Sequence, residues 1–203
     1  MGAFDLPRPP TRHRWTVADY ERMAAEGGVL PPDGRYELID GEVIRMAPIG
    51  TKHAAAVART ARAAERAAAD RAIVWVQNPL QLGAHAAPEP DLALLRPRDD
   101  FYAEALPTAA DVLLVIEVSH TTSRYDRDVT HATSRYDREV KLPLYARHGV
   151  PEVWLIDLDA GLLRLYRRPR DGEYLEVNAL AEAGPQAVAA LEGVVIDLSG
   201  VLG

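Results

Sequence analysis

The run Val112-Leu113-Leu114-Val115-Ile116-Glu117-Val118 is apolar at every position but one and rich in β-branched side chains. A strand with one face in water would alternate; a continuous apolar run reads as a strand covered on both faces. Such a strand needs neighbours on each side and a packed layer above and below. It therefore constrains the chain to a central sheet with helices laid on it. Val153-Trp154-Leu155-Ile156-Asp157 reads as a second buried strand of the same sheet.

The remaining elements fit that frame. Thr16 is an N-cap candidate for a short helix ending near Gly27-Gly28. Tyr36-Glu37-Leu38-Ile39 and Val43-Ile44-Arg45-Met46 flank Asp40-Gly41, a strong hairpin signal. Residues 52–70 are alanine-rich without a breaker and predict a helix. Strand-like runs follow at 73–77, 79–83 and 91–95, then a loop over 97–110, or a loop with one short helical turn. A helix is expected from about 134 to Arg147, closed by Gly149, although Pro143 inside it calls for a kink or a late start. Gly161 and Asp171-Gly172 separate further strands at 162–166 and 173–178, and an apolar segment surrounds Val194-Val195-Ile196. The fold class is mixed α/β, with helices flanking a mixed central sheet and β-hairpin additions. The 203 residues fit one domain, 1–203, with residues 1–14 as a loose extension.

The chain has no cysteine, which excludes disulfides, thiolate metal sites and a cysteine nucleophile. No apolar run approaches the roughly 20 residues of a spanning helix. The N-terminus lacks a secretory pattern, and Leu6 stands where a myristoylation signal wants serine or threonine. The expectation is a cytoplasmic protein with no membrane partner. A net charge of −7 argues against a protein that simply coats nucleic acid. It does not argue against a nuclease, whose metal-binding carboxylates are themselves acidic.

Lys52 and Lys141 are the two lysines among 23 basic residues. A lysine kept where arginine is the rule suggests a need for a compact ammonium, not a flat guanidinium fork. Lys141 lies downstream of two apolar strands that carry Asp91, after Pro90, and Glu117. If those strands are antiparallel neighbours, both carboxylates emerge at one end of the sheet. One or two carboxylates with water and a substrate phosphate suffice for Mg²⁺. Glu37 is a candidate third acid, though a hairpin acid facing solvent fits its spacing as well. The basic cluster Arg124 to Lys141 is interleaved with acids, and an exposed helix face explains it equally well. The six histidines form no close-spaced pair that would support zinc, and neither a P-loop nor a Gly-x-Ser-x-Gly elbow is present.

The order of motifs resembles the Uma-two family, restriction-endonuclease-like proteins of the PD-(D/E)xK nuclease superfamily. The resemblance is carried by Tyr-Glu-Leu-Ile-Asp-Gly-Glu at 36–42, Pro-Asp at 90–91 and Val-Ile-Glu-Val-Ser at 115–119. The most specific block is Tyr-Asp-Arg-Glu-Val-Lys-Leu-Pro-Leu-Tyr-Ala-Arg-His-Gly-Val-Pro-Glu-Val-Trp-Leu-Ile-Asp at 136–157. The resemblance spans about 15–198. It implies a restriction-endonuclease-like fold and a metal site of Glu37, Asp91 and Glu117 binding Mg²⁺, with Mn²⁺ as a substitute. DNA is the implied substrate, and a homodimer is compatible with cutting two strands. In the plain superfamily motif the lysine stands two residues after the second acid, where this chain has Ser119. The family supplies its lysine from the following helix, which points to Lys141.

A duplication complicates that assignment. Thr122-Ser-Arg-Tyr-Asp-Arg-Asp-Val recurs eleven residues later as Thr133-Ser-Arg-Tyr-Asp-Arg-Glu-Val, followed by Thr130 in the first copy and Lys141 in the second. Either the first copy loops out over 120–132 and Lys141 reaches the site, or the first copy occupies the site with Thr130. Packing of Leu142, Leu144, Tyr145 and Trp154 should hold the downstream register, favouring Lys141. The leading expectation is a Mg²⁺-dependent endonuclease acting on DNA through Glu37, Asp91, Glu117 and Lys141. The alternatives are a catalytically silent domain of the same fold that binds nucleic acid or protein, and a metallohydrolase acting on a smaller phosphoester.

Overall fold

The computed structural model describes residues 11–25, 29–120 and 136–202. In chain order its helices and strands are α1 (Val17–Ala25), β1 (Arg35–Ile39), β2 (Glu42–Met46), α2 (Thr51–Ala68), β3 (Ile73–Val76), β4 (Leu92–Leu95) and β5 (Val112–Ser119). They continue with α3 (Leu142–Arg147), β6 (Glu152–Asp157), β7 (Leu162–Arg170), β8 (Glu173–Leu180), β9 (Pro185–Ala187) and β10 (Val195–Asp197). Strands β3 to β8 form one six-stranded sheet in sequential order. Only β5 and β6 pair in parallel; the other neighbours are antiparallel. The parallel pair needs a crossover, and α3 lies on that connection.

All eight residues of β5 and all six of β6 are buried, as an apolar run covered on both faces requires. On one face Leu92, Leu94, Leu114, Ile116, Trp154 and Ile156 pack with Ala56, Val57, Ala64 and Ala68 of α2. On the other, Ala93, Leu95, Val115 and Val153 pack with Leu144 and Tyr145 of α3. Each fully buried leucine or isoleucine contributes roughly 1.5–3 kcal/mol by leaving water. Glu152, at the start of β6, is also fully buried, but its carboxylate accepts from Trp154 Nε1 (2.7 Å), Arg167 Nε (2.7 Å) and the Ala189 N–H (2.8 Å). That acid is satisfied within the fold.

The hairpin forms as Asp40-Gly41 demands. Both residues have positive φ, +51° and +85°, the geometry of a type I′ turn. A side chain at Gly41 would also come within 2.7 Å of Arg14 Cβ. At α1, Thr16 Oγ1 accepts from the Asp19 N–H while Asp19 Oδ2 accepts from the Thr16 N–H, a reciprocal cap.

Two expectations are corrected. Residues 79–83 do not form a strand: Gln81 makes a single bridge to Thr108. Leu80 and Leu82 are buried as an alternating run requires, yet their N–H groups go to Pro88 and Ala86 across a tight local loop. Pro79 and the positive-φ Gly83 bracket the run and leave no length for a ladder. The helix ending at Arg147 is not a uniform α-helix either. Asp137–Lys141 is a π-turn, and the Leu142 N–H reaches the Asp137 carbonyl. Pro143 then falls in the first turn of α3, where its missing N–H costs little. The first repeat copy, Thr122–Thr130, and the bulge expected over 120–132 lie outside the described residues except for His120, as do residues 1–10 of the N-terminal extension. Among the described residues no helix is long and apolar enough to cross a membrane.

Candidate active site

The antiparallel register of β4 and β5 pairs Leu92 with Ile116, which sets Asp91 and Glu117 beside each other at the strand ends. The Asp91 N–H donates to Glu117 Oε2 at 3.3 Å, and the Val118 N–H donates to Asp91 Oδ2 at 2.8 Å. Glu37 enters from β1, almost completely buried at 1% exposure. Lys141 arrives from the π-turn before α3. Its Nζ lies 3.0 Å from Glu37 Oε1, 3.2 Å from Glu117 Oε1 and 3.3 Å from the Glu89 carbonyl oxygen. The four residues expected from the sequence are therefore neighbours. Ser119, two residues beyond Glu117, is buried with its hydroxyl unpartnered.

The surroundings hold these groups in place. Tyr145, one turn beyond Lys141, donates its hydroxyl to Glu117 Oε1 at 2.6 Å. Gln77 Nε2 donates to Asp91 Oδ1 at 3.2 Å, and His53 Nε2 lies 3.0 Å from Asp91 Oδ2. Glu89 and Asp137 join Glu37, Asp91 and Glu117 around a cleft of about 70 Å³, so five carboxyl groups face one small volume.

The charge imbalance shows in the acidities. Burial, with Asp91 and Glu37 nearby and only partly offset by Lys141, pushes Glu117 up to about 7. Burial and the Glu117 carboxylate push Asp137 well above the usual range. Burial also opposes ionisation of Asp91, but the hydrogen bonds from His53 and the Val118 N–H outweigh it and hold that carboxyl below its ordinary value. For Lys141 burial favours the neutral amine, yet Glu117, Glu37, Asp137 and Asp91 together hold it firmly as an ammonium.

This donor set suits a hard divalent cation. It offers five carboxyl groups beside two permanent cations, Lys141 and the Arg35 that pairs with Glu89 at 3.6 Å, and Glu37 Oε2 is buried without a hydrogen-bond partner. Among the described residues no group of three or more His, Asp or Glu side chains is arranged to hold a metal ion. The adjacent pair Asp91 and Glu117, completed by water and substrate oxygens, is the set that fits.

The family model described as "Uma2: Putative restriction endonuclease" matches residues 17–199. The chain belongs to the Uma2 family. No curated protein matches it. A solved structure titled as that of a "putative nuclease belonging to DUF820" from Anabaena variabilis is similar at 18% identity with a TM-score of 0.66, covering 92% of this chain and 97% of that one. That likeness shows a shared fold.

The Uma2 match spans every residue of the cleft. Sequence reasoning missed His53, Gln77, Glu89, Asp137 and Tyr145 as members of it. Asp137 and Tyr145 flank Lys141 at intervals of four, the one signal that could have drawn them in. Nothing in the spacing of His53 pointed to Asp91, because the packing of α2 brings it there, while Gln77 meets Asp91 through the antiparallel pairing of β3 with β4.

Proposed function

We propose that the chain is a metal-dependent endonuclease that hydrolyses DNA phosphodiester bonds. The observation that carries this reading is the position of Lys141 Nζ, a buried ammonium against Glu37 and Glu117, with Asp91 adjoining. Membership of the Uma2 family supports the same reading.

Asp91 and Glu117 would hold Mg²⁺, or Mn²⁺ in its place, with the unpartnered Glu37 oxygen to hand. The cation, when bound, lowers the pKa of attached water and neutralises charge on the phosphoryl group. The protein's own groups do the rest. Lys141, held protonated, is a fixed positive charge for the phosphate oxygens as negative charge builds on them. In that state it is a charge stabiliser and a donor to the attacking water, not a base. Tyr145 and His53 are positioning residues: one fixes Glu117, the other Asp91. Hydrolysis joins the water oxygen to phosphorus and breaks one P–O bond, and the departing sugar oxygen takes up a proton.

A second reading, a catalytically silent domain, is favoured by one observation. Both Asp91 oxygens already accept hydrogen bonds from protein donors. Incubation with duplex DNA, RNA and free nucleotides, each with Mg²⁺ and with excess EDTA, tests the proposal. The endonuclease reading expects cleavage of DNA that EDTA abolishes. Absence of cleavage, together with no Mg²⁺ or Mn²⁺ effect on melting temperature, would establish the silent domain instead.

A further inference from the structure

The cleft does not end at the carboxylates. His120, at its edge, also lines a groove of about 500 Å³ that contains Lys52 and Arg59 of α2. Arg59 and Val201 in turn line a third depression of about 700 Å³, which adds Arg62 and Arg66. Neighbouring hollows share lining residues and follow one another along α2. Lys52, Arg59 and Arg66 are spaced by heptads, and Arg62 lies one turn from Arg59, so all four form one stripe of the helix. They are exposed, and among the described residues Arg59, Arg62 and Arg66 have neither an ion-pair partner nor a hydrogen-bond partner. Two acids also line these hollows: Asp159, 2.9 Å from His120, and Asp197, which accepts from the Ser199 N–H at 2.9 Å; the four basic side chains outnumber them.

A row of unpaired guanidinium groups in a chain of net charge −7 calls for an anionic occupant. The occupant must be long, because the stripe from Lys52 to Arg66 extends about 21 Å at 1.5 Å per residue. It must also be able to continue into the acidic cleft. We infer that the α2 stripe of Lys52, Arg59, Arg62 and Arg66 is a docking track for the sugar–phosphate backbone of a DNA duplex, leading one strand to Asp91 and Glu117. Its length corresponds to the rise of roughly six base pairs at 3.4 Å each. The inference rests on the endonuclease reading for its direction toward the cleft. The track reads charge and not sequence, since its contacts are to phosphate.

Fluorescence anisotropy with a labelled duplex tests it, in Ca²⁺ to keep a hard cation present, across a series of salt concentrations. The variant is Arg59→Ala, Arg62→Ala, Arg66→Ala in one chain. Alanine has the highest helix propensity, so α2 should persist. Wild type should bind with a steep salt dependence. The triple variant should bind about ten-fold more weakly or worse, with the log–log slope shallower by about 3. Replacing the same three arginines by lysine should restore the slope. Removing Arg22, Arg168 and Arg170, an equal charge elsewhere, should leave it nearly unchanged. An unaltered slope in the alanine variant, or no duplex binding by wild type, would overturn the track. DNA cleavage by the same proteins separates the two claims. Wild type that binds through α2 but does not cut refutes the endonuclease and leaves the track standing. Wild type that cuts, with an alanine variant of unchanged affinity, does the reverse.

Discussion

Lys141 Nζ stands 3.2 Å from Oε1 of Glu117, although 24 residues separate the two in the chain. Thirteen positions after Glu117, where the lysine would fall without the extra repeat, the chain has Thr130. The contact is made by the second copy. The π-turn over Asp137–Lys141 places Lys141 and Asp137 inward together, and Leu142, Leu144 and Tyr145 are buried just beyond. Such wide turns are frequent at functional sites.

Replacement of Lys141 should affect both activity and stability. Lys141→Ala removes the charge that meets the phosphoryl group and should lower kcat by about 10²–10³. It also leaves Glu37 and Glu117 buried without their shared cation, a loss of about 3–5 kcal/mol in metal-free protein. Lys141→Arg should not rescue, because a planar fork does not fit a site built around a compact ammonium. Single-turnover cleavage and urea denaturation measure the two effects.

The metal-free protein should lose stability as pH rises from about 5 to about 7. Glu117 is raised from an ordinary 4.5 to about 7, so the folded state holds a proton that the unfolded state has released. The contribution is complete below pH 4.5 and is lost as pH climbs through 7, with Asp137 acting in the same direction. Asp91, lowered from 3.8, acts outside this window, because its contribution is lost only in stronger acid. Denaturation midpoints at pH 5 and pH 8 should differ in EDTA and converge in Mg²⁺.

Tyr145→Phe keeps the ring in its fully buried place and removes the hydroxyl that donates to Glu117. A hydrogen bond to an ionised group contributes about 1.5–3 kcal/mol, so stability should fall within that range in the presence of metal, where Glu117 is a carboxylate. Cleavage should fall several-fold, by less than for Lys141→Ala, since Tyr145 acts through Glu117. Parallel melts and kcat values distinguish the two residues.

Glu152→Gln is the contrasting case. This acid is equally buried but bound by Trp154, Arg167 and the Ala189 N–H on the far side of the sheet. The change should destabilise by several kcal/mol, as breaking a buried ion pair does. Cleavage per folded molecule and the response to Mg²⁺ should not change.

The parts of this molecule legible in sequence were those decided locally. Asp40-Gly41 specified its hairpin because the turn needs two positive φ angles, and β5 was visible because full burial removes alternation. The meeting of Asp91 with Glu117 followed once their strands were taken as antiparallel neighbours. The approach of His53 to Asp91 was not legible, because it depends on how α2 packs on the sheet, and Gln77 reaches Asp91 only through the β3–β4 register that pairs Val76 with Leu92. Leu80 and Leu82 misled for a related reason: their burial pattern is that of a strand, while their N–H groups bond Pro88 and Ala86 in the same local loop. The π-turn escaped because propensity does not distinguish it from an α-turn, although Pro143 marked the place.

The most direct measurement is single-turnover cleavage of a plasmid in Mg²⁺ by wild type and by Asp91→Ala purified side by side, each repeated in excess EDTA. The account expects nicking or linearisation by wild type in Mg²⁺, none in EDTA, and none by Asp91→Ala, whose melting temperature should also no longer respond to Mg²⁺. Cleavage by wild type at an undiminished rate in EDTA, or by Asp91→Ala in Mg²⁺, would contradict it.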